Sequence, residues 1–364
     1  MYKTVSSFQG NRMDYYLKCN ICNEKYGSNY AGQICGSCSG LLEVQYKKKV
    51  EPNLDAESFW DYEDQLPKSK YRHYLLGMTP LVRAHESRSL LMKMEIQNPT
   101  HSFKDRGSAV ELAKAAEYGF NEVVCASTGN MAYSISYYSK LYGLRSQVFI
   151  STDANRDKIN DIESVGDAQV HWVKGDFNKA LAQAEAYSRK HKAFLTGDYC
   201  YRKEGQKTVA YEVMQQVRDL THFIVPVGNA TLISGVYKAL REMKAADKIR
   251  KMPKIIGVQA SGCMPLVRAF KLKKPVSYER PRTKADAIAV GLPTFGNQAM
   301  EAFKETNGYA VAVSDRELEA EKERLYENYG IVAELGGVAS LAAYRKAGIK
   351  ENDRAVAIIS GANV

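Results

Sequence analysis

Four of the seven cysteines of this chain lie in two closely spaced pairs, Cys19-Asn-Ile-Cys22 and Cys35-Gly-Ser-Cys38. Each Cys-x-x-Cys pair can place two thiolates on one metal ion from a tight turn, and two such turns complete a tetrahedral sulfur site. The spacing therefore predicts a structural zinc ribbon with these four ligands. Four protein ligands leave no coordination position for a catalytic water, so the metal would have a folding role. The alternative is four reduced thiols that bind no metal.

Three further segments, each next to a predicted helix, carry residues suited to binding and chemistry. Residues 98–107 contain one lysine, Lys104, which by itself could be a surface charge. Residues 126–130 offer backbone N–H groups and hydroxyls at a helix start, a combination that suits a carboxylate. Small residues in 226–232 let the backbone approach a phosphate closely, although the spacing is not that of a P-loop. Each turn alone could be an ordinary strand-to-helix connection, but the three together in this order are hard to attribute to chance.

The elements that would position these turns alternate along the chain from about residue 75. The apolar patterns predict helices over residues 108–118, 131–142, 158–165, 177–190 and 207–217. They predict strands over residues 122–126, 147–150, 169–173, 223–227, 255–259 and 355–359. Strands separated by helices favour parallel βαβ units, so the predicted fold class is α/β. Residues 51–70 are polar and charged, and we expect them to form a connecting arm.

Composition limits the possible functions. The 364 residues are enough for two packed cores, and 45% hydrophobic with 25% charged residues is ordinary for a globular protein. No apolar run approaches the roughly 18 residues of a membrane helix, and the first residues lack the apolar core of a secretory signal. The net charge of +10 comes from lysines and arginines mixed with acids, which favours anionic metabolites over nucleic acid. We therefore expect a cytoplasmic enzyme without nucleic-acid or membrane partners.

The chain from about residue 77 to its end resembles the fold type II pyridoxal-phosphate enzymes, and within them the threonine synthases. The similarity lies in the three turns described above, in Gly77-Met-Thr-Pro-Leu81 and in the segment 201–208, Tyr-Arg-Lys-Glu-Gly-Gln-Lys-Thr. A cysteine ribbon ahead of the catalytic fold also occurs in threonine synthases and in their relatives such as cysteate synthase. The resemblance implies two three-layer αβα domains with pyridoxal 5'-phosphate between them, and a small zinc-ribbon-like module in front.

The resemblance also implies roles for individual residues. Lys104 would bind the cofactor covalently and act as the catalytic base, and Ser360 would face its pyridine nitrogen. The cofactor phosphate would lie on a loop formed by Gly228, Asn229, Ala230, Thr231 and Leu232. Asn130 would reach the phenolic oxygen of the cofactor. Substrate would be bound by the carboxylate loop, Ser127, Thr128, Gly129 and Asn130, and its anionic leaving group by Arg202 with Lys207.

The implied reaction is elimination or replacement on an amino acid, with threonine synthesis from O-phospho-L-homoserine and water as the leading interpretation. Met131 stands where threonine synthases usually have a threonine, and residues 334–337 read Glu-Leu-Gly-Gly instead of Glu-Pro-Ala-Ser. The ending Ser360-Gly-Ala-Asn363 is closer to serine and threonine dehydratases. Dehydratase-type deamination and phosphoserine replacement of the cysteate synthase kind are therefore alternatives. A catalytically silent binding protein is a further alternative, which the intact Lys104 argues against.

The predicted domain organisation has three parts. Residues 1–48 form the zinc-ribbon-like module, 49–107 with 205–364 form the large cofactor-binding domain, and 108–204 form the small domain with the carboxylate loop. A homodimer is implied by the resemblance alone.

Overall fold

The computed structural model describes residues 15–72, 75–127, 129–152, 159–166 and 168–362. In chain order its strands are β1 (Tyr15–Cys19), β2 (Lys25–Gly27), β3 (Leu42–Tyr46), β4 (Leu81–Arg83), β5 (Leu90–Met94), β6 (Glu122–Ala126), β7 (Arg145–Ser151), β8 (Ala168–Val173), β9 (Phe194–Leu195), β10 (His222–Pro226), β11 (Lys254–Ala260), β12 (Tyr309–Val313) and β13 (Ala355–Ile359). Its α-helices are α1 (Lys104–Glu117), α2 (Asn130–Leu141), α3 (Ile159–Ser164), α4 (Phe177–His191), α5 (Cys200–Gln216), α6 (Thr231–Ala245), α7 (Pro265–Leu272), α8 (Gly296–Thr306), α9 (Asp315–Tyr329) and α10 (Ala339–Tyr344). Short 3-10 helices cover Phe59–Gln65, Glu95–Gln97 and Asp286–Ile288.

The chain divides into two compact units and passes between them several times. The first unit comprises residues 1–51, 60–75 and 104–205, and the second comprises 52–59, 76–103 and 206–364. One passage falls between Phe103 and Lys104, directly before the predicted cofactor lysine. The three-part division expected from the sequence stays a prediction.

The second unit is built on a six-stranded sheet with the order β12-β11-β10-β13-β5-β4. Its strands run parallel except for β4, which is antiparallel to β5. Strands β10 and β13 are buried along their whole length, which explains their unbroken apolar sequences. Because parallel strands end at the same edge, the turn after β10 and Ser360 after β13 leave the sheet at its carboxyl edge.

The first unit contains a parallel four-stranded sheet with the order β8-β7-β6-β9. Helices α2 and α4 pack against β6 and β7. The same unit contains the cysteine region as an antiparallel three-stranded sheet with the order β2-β1-β3. The α/β class expected from the helix and strand patterns is thus confirmed, and the turn before α2 lies at the end of β6.

Two segments differ from the sequence-based expectation. Helix α5 begins at Cys200, about two turns before the predicted start at residue 207. The expected polar arm contains the 3-10 helix Phe59–Gln65, in which Phe59 and Tyr62 are completely buried. Within the described ranges, no helix combines the length and the apolar character needed to cross a membrane.

Helix α9 carries a pH-dependent element of stability at its first turn. Glu317 accepts hydrogen bonds from the Ser314 backbone N–H at 2.7 Å and from Lys346 Nζ at 2.8 Å. Burial acts to raise the pKa of Glu317, but these bonds outweigh it and lower the pKa below its ordinary value of 4.5. The folded protein therefore binds a proton at Glu317 less tightly than the unfolded chain does. The stabilisation is fully present at pH values above the ordinary pKa and is lost as the pH falls through the lowered pKa of the folded state.

We expect Glu317→Gln to lower the free energy of unfolding at pH 7 by about 1 kcal/mol or less, since the side chain is partly exposed and screened. At pH 3 to 4 the difference from the parent should shrink. Urea unfolding at the two pH values measures this, with Glu323→Gln on the exposed side of the same helix as control. An equal loss at both pH values would contradict the assignment to the ionised carboxylate.

Candidate functional site

The segment that precedes Lys104 is fixed against the end of β13. The Phe103 N–H donates to the Ser360 carbonyl at 3.1 Å, and the Ala362 N–H donates to the His101 carbonyl at 3.0 Å. Ser102 and Gly361 form an antiparallel bridge between these contacts. The predicted pyridine-facing residue thus lies beside the chain that leads directly into the predicted cofactor lysine.

A buried polar network holds the beginning of the segment 98–107. Asn98 Nδ2 donates to Glu95 Oε2 at 2.9 Å, while Asn98 Oδ1 accepts the Gly77 N–H at 3.1 Å. Glu95 Oε1 accepts the Thr79 hydroxyl at 2.7 Å. Gly77 and Thr79 belong to the motif 77–81, so this network connects that motif with the start of the lysine segment.

The network continues into a completely buried ion pair that sequence reasoning missed. Lys93 Nζ lies 2.7 Å from Glu212 Oε2 and donates to the Thr79 carbonyl at 2.5 Å. Glu212 Oε1 accepts the Met78 N–H at 2.9 Å. The available signal was a lysine within the apolar strand Leu90–Met94, since a lysine is rarely fully buried without a partner.

Lys104 is the first residue of α1 and is half-buried. Helix α1 crosses α5 within the first unit at two glycines. A Cβ atom on Gly205 would lie 1.9 Å from the Arg106 carbonyl oxygen, and one on Gly107 would lie 2.5 Å from Arg202 Cγ. Only glycine permits this approach, which brings the segment 201–205 against the start of α1.

Arg202 is completely buried in this crossing and is bonded to protein acceptors. Its Nη2 lies 2.6 Å from Glu111 Oε2, its Nε donates to the Gly197 carbonyl at 3.0 Å, and its Nη1 donates to Ser108 Oγ at 3.2 Å. Burial raises the pKa of the Glu111 carboxyl, and the neighbouring guanidinium opposes that rise. The predicted contact of Arg202 with a leaving group stays untested, and it would require the guanidinium to release one of these acceptors.

Lys207 is also buried and paired. Its Nζ lies 3.0 Å from Glu242 Oε2 in the second unit. Arg202 is thus paired with Glu111, and Lys207 with Glu242. Their predicted joint role toward a substrate anion is a proposal about a bound state.

The carboxylate loop connects β6 to α2 in the first unit. Gly129 is the N-cap of α2 in extended conformation, and no side chain caps the helix. The start of α2 offers backbone N–H groups as donors, and Ser127 Oγ accepts the Gly129 N–H at 3.4 Å. Asn130 is buried as the first residue of the helix. Thr128 lies outside the described residues.

The predicted phosphate loop connects β10 to α6 in the second unit. Ala230, the N-cap, has a left-handed backbone with φ of 64°, and no side chain caps the helix. A Cβ on Gly228 would lie 3.0 Å from the Ala287 carbonyl oxygen, so the loop needs glycine there. The backbone N–H groups at the positive end of the 15-residue helix form a donor set that fits a phosphate.

Two buried hydroxyls near these segments are weakly bonded or unbonded within the described residues. Ser360 Oγ lies 3.5 Å from the Gly336 carbonyl, at the limit of a hydrogen bond, and the residue is 4% exposed. Ser102 Oγ has no hydrogen-bond partner in the described part of the chain. A buried hydroxyl normally has a partner, so these residues fit a polar group that completes their bonding. Within the second unit, the turn before α6 together with Ser102 and Ser360 offers polar groups that fit pyridoxal phosphate.

The four predicted metal ligands converge in the first unit. The Sγ atoms of Cys19, Cys22, Cys35 and Cys38 all lie within 4.8 Å of one another. The Cys19–Cys38 distance is 3.4 Å, and Cys22 lies 3.5 Å from both Cys35 and Cys38. Zinc–sulfur bonds of about 2.3 Å place tetrahedral sulfurs roughly 3.8 Å apart, so the cluster fits a zinc ion.

Tyr26 adds a hydrogen bond to this cluster. Its hydroxyl lies 3.1 Å from Cys35 Sγ and accepts the Gly36 N–H at 2.9 Å. The bond from the Tyr26 hydroxyl lowers the pKa of Cys35 to about 6.

Comparison with known proteins gives a family match over most of the chain. The family described as "Pyridoxal-phosphate dependent enzyme" matches residues 73–361. The threonine synthase of Methanosarcina acetivorans is 34% identical, with 91% of this chain and 86% of the relative covered. The threonine synthase of Methanocaldococcus jannaschii is 33% identical, with 94% and 91% covered.

Solved structures with the same fold match this chain at lower identity. A processed threonine deaminase isoform from Solanum lycopersicum superposes with a TM-score of 0.72 at 24% identity, covering 85% of this chain and 86% of that one. A fungal L-serine ammonia-lyase from Rhizomucor miehei gives a TM-score of 0.71 at 21% identity, covering 79% and 94%. At these identities the likeness concerns the fold.

Proposed function

This chain belongs to the family of pyridoxal-phosphate dependent enzymes, and we propose that it is a lyase that converts O-phospho-L-homoserine and water into L-threonine and phosphate. The similarity to threonine synthases over more than nine tenths of the chain carries this proposal. A cytoplasmic homodimer is part of the same proposal.

The proposed cofactor contacts are those that the family resemblance implies, and the positions of Lys104 and of the two helix starts support them. The Lys104 amine would bind the cofactor aldehyde, and the backbone N–H groups from the Gly228 loop into α6 would bind the phosphate. Asn130 donates to the phenolic oxygen. When bound, pyridoxal phosphate accepts the electrons of a bond broken at the substrate Cα.

The remaining steps belong to side chains of the protein. The Lys104 amine, once free, takes and returns protons at the substrate carbons as a general base and acid. Ser360 offers a hydroxyl, which leaves the pyridine nitrogen neutral, whereas a carboxylate would keep it protonated. A neutral nitrogen makes a weaker electron sink, which favours elimination and replacement over transamination.

Substrate recognition is assigned to the two loops and the buried cations. The carboxylate loop, with Ser127, Thr128, Gly129 and Asn130, binds the amino-acid carboxylate through backbone N–H groups at the start of α2. Arg202 and Lys207 stabilise the phosphate leaving group after exchanging protein carboxylates for it, since charge-assisted bonds to phosphate are strong. Holding both cations on Glu111 and Glu242 beforehand avoids buried unpaired charge.

A substrate panel tests the proposed reaction. We expect phosphate and L-threonine from O-phospho-L-homoserine, and little 2-oxo acid from L-serine or L-threonine. Formation of 2-oxo acid from L-serine or L-threonine, without phosphate release from O-phospho-L-homoserine, would favour dehydratase-type deamination. Met131 and the Ser360-Gly-Ala ending support that alternative. Release of phosphate from O-phospho-L-serine in the presence of a second nucleophile would favour phosphoserine replacement of the cysteate synthase kind.

We further propose that the four-cysteine cluster binds one structural zinc ion. Elemental analysis of freshly purified protein should give about one equivalent of zinc per chain, and Cys22→Ser should reduce it severely while lowering the thermal midpoint. The control is Cys263→Ser, which changes a cysteine of the second unit outside the cluster and should retain the zinc. Zinc near zero in the parent, or unchanged zinc in Cys22→Ser, would contradict the proposal.

A further inference from the structure

The cysteine region, residues 15–46, contacts the first turn of α5 through strand β3. Glu43 of this strand is paired with Lys203, and the Tyr46 hydroxyl donates to Glu204 Oε2 at 2.7 Å. Lys203 is 2% exposed and Glu204 is completely buried. Buried charges are costly unless they are paired and hydrogen-bonded. The cysteine region thus supplies partners for two buried charges at the start of α5.

The same region also contacts α1 and the residue that follows it. Gln33, which lies between the two cysteine pairs, donates through Nε2 to Glu111 Oε1 at 2.9 Å. The Ser28 carbonyl accepts the Tyr118 hydroxyl at 2.8 Å. All of these residues belong to the first unit. Within that unit, the cysteine region is therefore bonded to the ends of the α1–α5 pair at several points.

Helices α1 and α5 are fixed to each other where they cross. Arg202 Nη2 lies 2.6 Å from Glu111 Oε2, and Arg202 Nη1 donates to the Lys104 carbonyl at 3.4 Å. A Cβ on Gly205 would lie 1.9 Å from the Arg106 carbonyl oxygen, which leaves no free space between the two backbones. A shift of the first turn of α5 therefore moves the start of α1, where Lys104 lies.

We propose that the cysteine region is a positioning element for Lys104, and that Glu43 and Tyr46 are its positioning residues. By holding the first turn of α5, they fix the start of α1 and with it the Lys104 amine. A displacement of about 1 Å at a reacting group can cost about 10²-fold in rate, so this support matters for turnover. The role rests on the proposed function, because it takes Lys104 as the residue that binds the cofactor.

Amide hydrogen exchange of the cofactor-loaded enzyme, followed by mass spectrometry, tests the support of α5. In the double variant Glu43→Gln/Tyr46→Phe we expect residues 200–205 to exchange about tenfold faster than in the parent, because one bond to this turn is lost and another is weakened. The peptide that covers β6, in the same unit, should exchange at the parent rate. Unchanged exchange of residues 200–205 would overturn the proposal. An equal rise in both peptides would also overturn it, because the contacts would then hold the whole unit.

Cofactor binding is the second readout, and it needs no substrate. We expect the dissociation constant of pyridoxal phosphate to rise about tenfold in the double variant, because a displaced amine binds the aldehyde less well. With O-phospho-L-homoserine, kcat should fall about tenfold while KM stays within twofold, since Lys104 moves protons and does not bind the substrate. Faster exchange with unchanged cofactor affinity and kcat would overturn the role toward Lys104. If the substrate panel fails, exchange and cofactor affinity still decide.

Tyr16→Phe is the matched control, because it removes the same group from the neighbouring strand β1. Tyr16 lies opposite Gln45 of β3, and Lys25 Nζ lies 5.4 Å from the centre of its ring. In the described part of the chain its hydroxyl has no bond to α5, so exchange, cofactor affinity and kcat should equal those of the parent. Tyr46→Phe alone loses one hydroxyl and should show the effects of the double variant at smaller size, even if the double variant is insoluble. Parent values for all three quantities in Tyr46→Phe would contradict its role as a positioning residue.

Discussion

Lys104→Ala is expected to lower turnover of O-phospho-L-homoserine by about 10³-fold or more, without loss of the fold. The reason is that one amine both binds the cofactor and moves the protons, and general base catalysis alone contributes 10² to 10⁴-fold. The side chain is half-buried at the first residue of α1, where alanine is a good helix former. Steady-state release of phosphate measures the effect.

The control for this variant is Lys190→Ala, which removes an exposed lysine of the same unit. It should retain full activity, and circular dichroism should show both variants folded. If Lys104→Ala kept a tenth or more of the parent activity, Lys104 would not be the catalytic base.

Gly205→Ala is expected to have the largest effect on stability. A Cβ there would lie 1.9 Å from the Arg106 carbonyl oxygen, a backbone atom that cannot move aside without displacing α1. Overpacking of this kind costs about 3 kcal/mol or more, which is a large part of the stability of a domain. We expect insoluble protein or a strongly lowered urea midpoint.

Gly296→Ala provides the matched control, because a Cβ there meets its nearest atom, Leu266 Cδ2, at an ordinary 3.5 Å. Gly296 is also the first residue of a helix, α8, where alanine is tolerated. This variant should unfold within about 1 kcal/mol of the parent. Equal midpoints for the two variants would mean that the α1–α5 crossing can relax, contrary to the geometry.

The parallel core of the second unit was accessible from sequence because its strands are apolar runs between turns. The predicted strand 355–359 coincides with β13, and 122–126 coincides with β6 of the first unit. A fully buried strand in a parallel sheet can be recognised without knowing its neighbouring strands, because its own sequence is an uninterrupted apolar run.

Helix α5 shows where this reasoning fails. Its first two turns are rich in charged residues, and the sequence predicts a binding segment there, ahead of the helix. The structure has these turns within the helix, and their charged side chains are completely or almost completely buried. Arg202 pairs with Glu111, Lys203 with Glu43, and Glu204 accepts the Tyr46 hydroxyl at 2.7 Å. These partners lie far away in the sequence, so no local pattern could show that the charges would be compensated.

The sequence predicts the strand-to-helix turns of the candidate site. It does not predict the buried ion pairs that hold these segments in place. The helix starts after β6 and β10 follow from small residues between strand and helix patterns. The Lys93–Glu212 and Arg202–Glu111 pairs depend on contacts between distant segments. Such contacts are set by tertiary packing, which a single sequence does not display.

Borohydride reduction of the holoenzyme, followed by peptide mass spectrometry, tests the central claim most directly. Reduction makes the bond between the cofactor and its lysine permanent, so the modified residue can be identified. We expect a pyridoxyl-phosphate adduct on the peptide that contains Lys104 and no such adduct in Lys104→Ala. An adduct on a different lysine, or none in protein supplied with excess cofactor, would contradict the account.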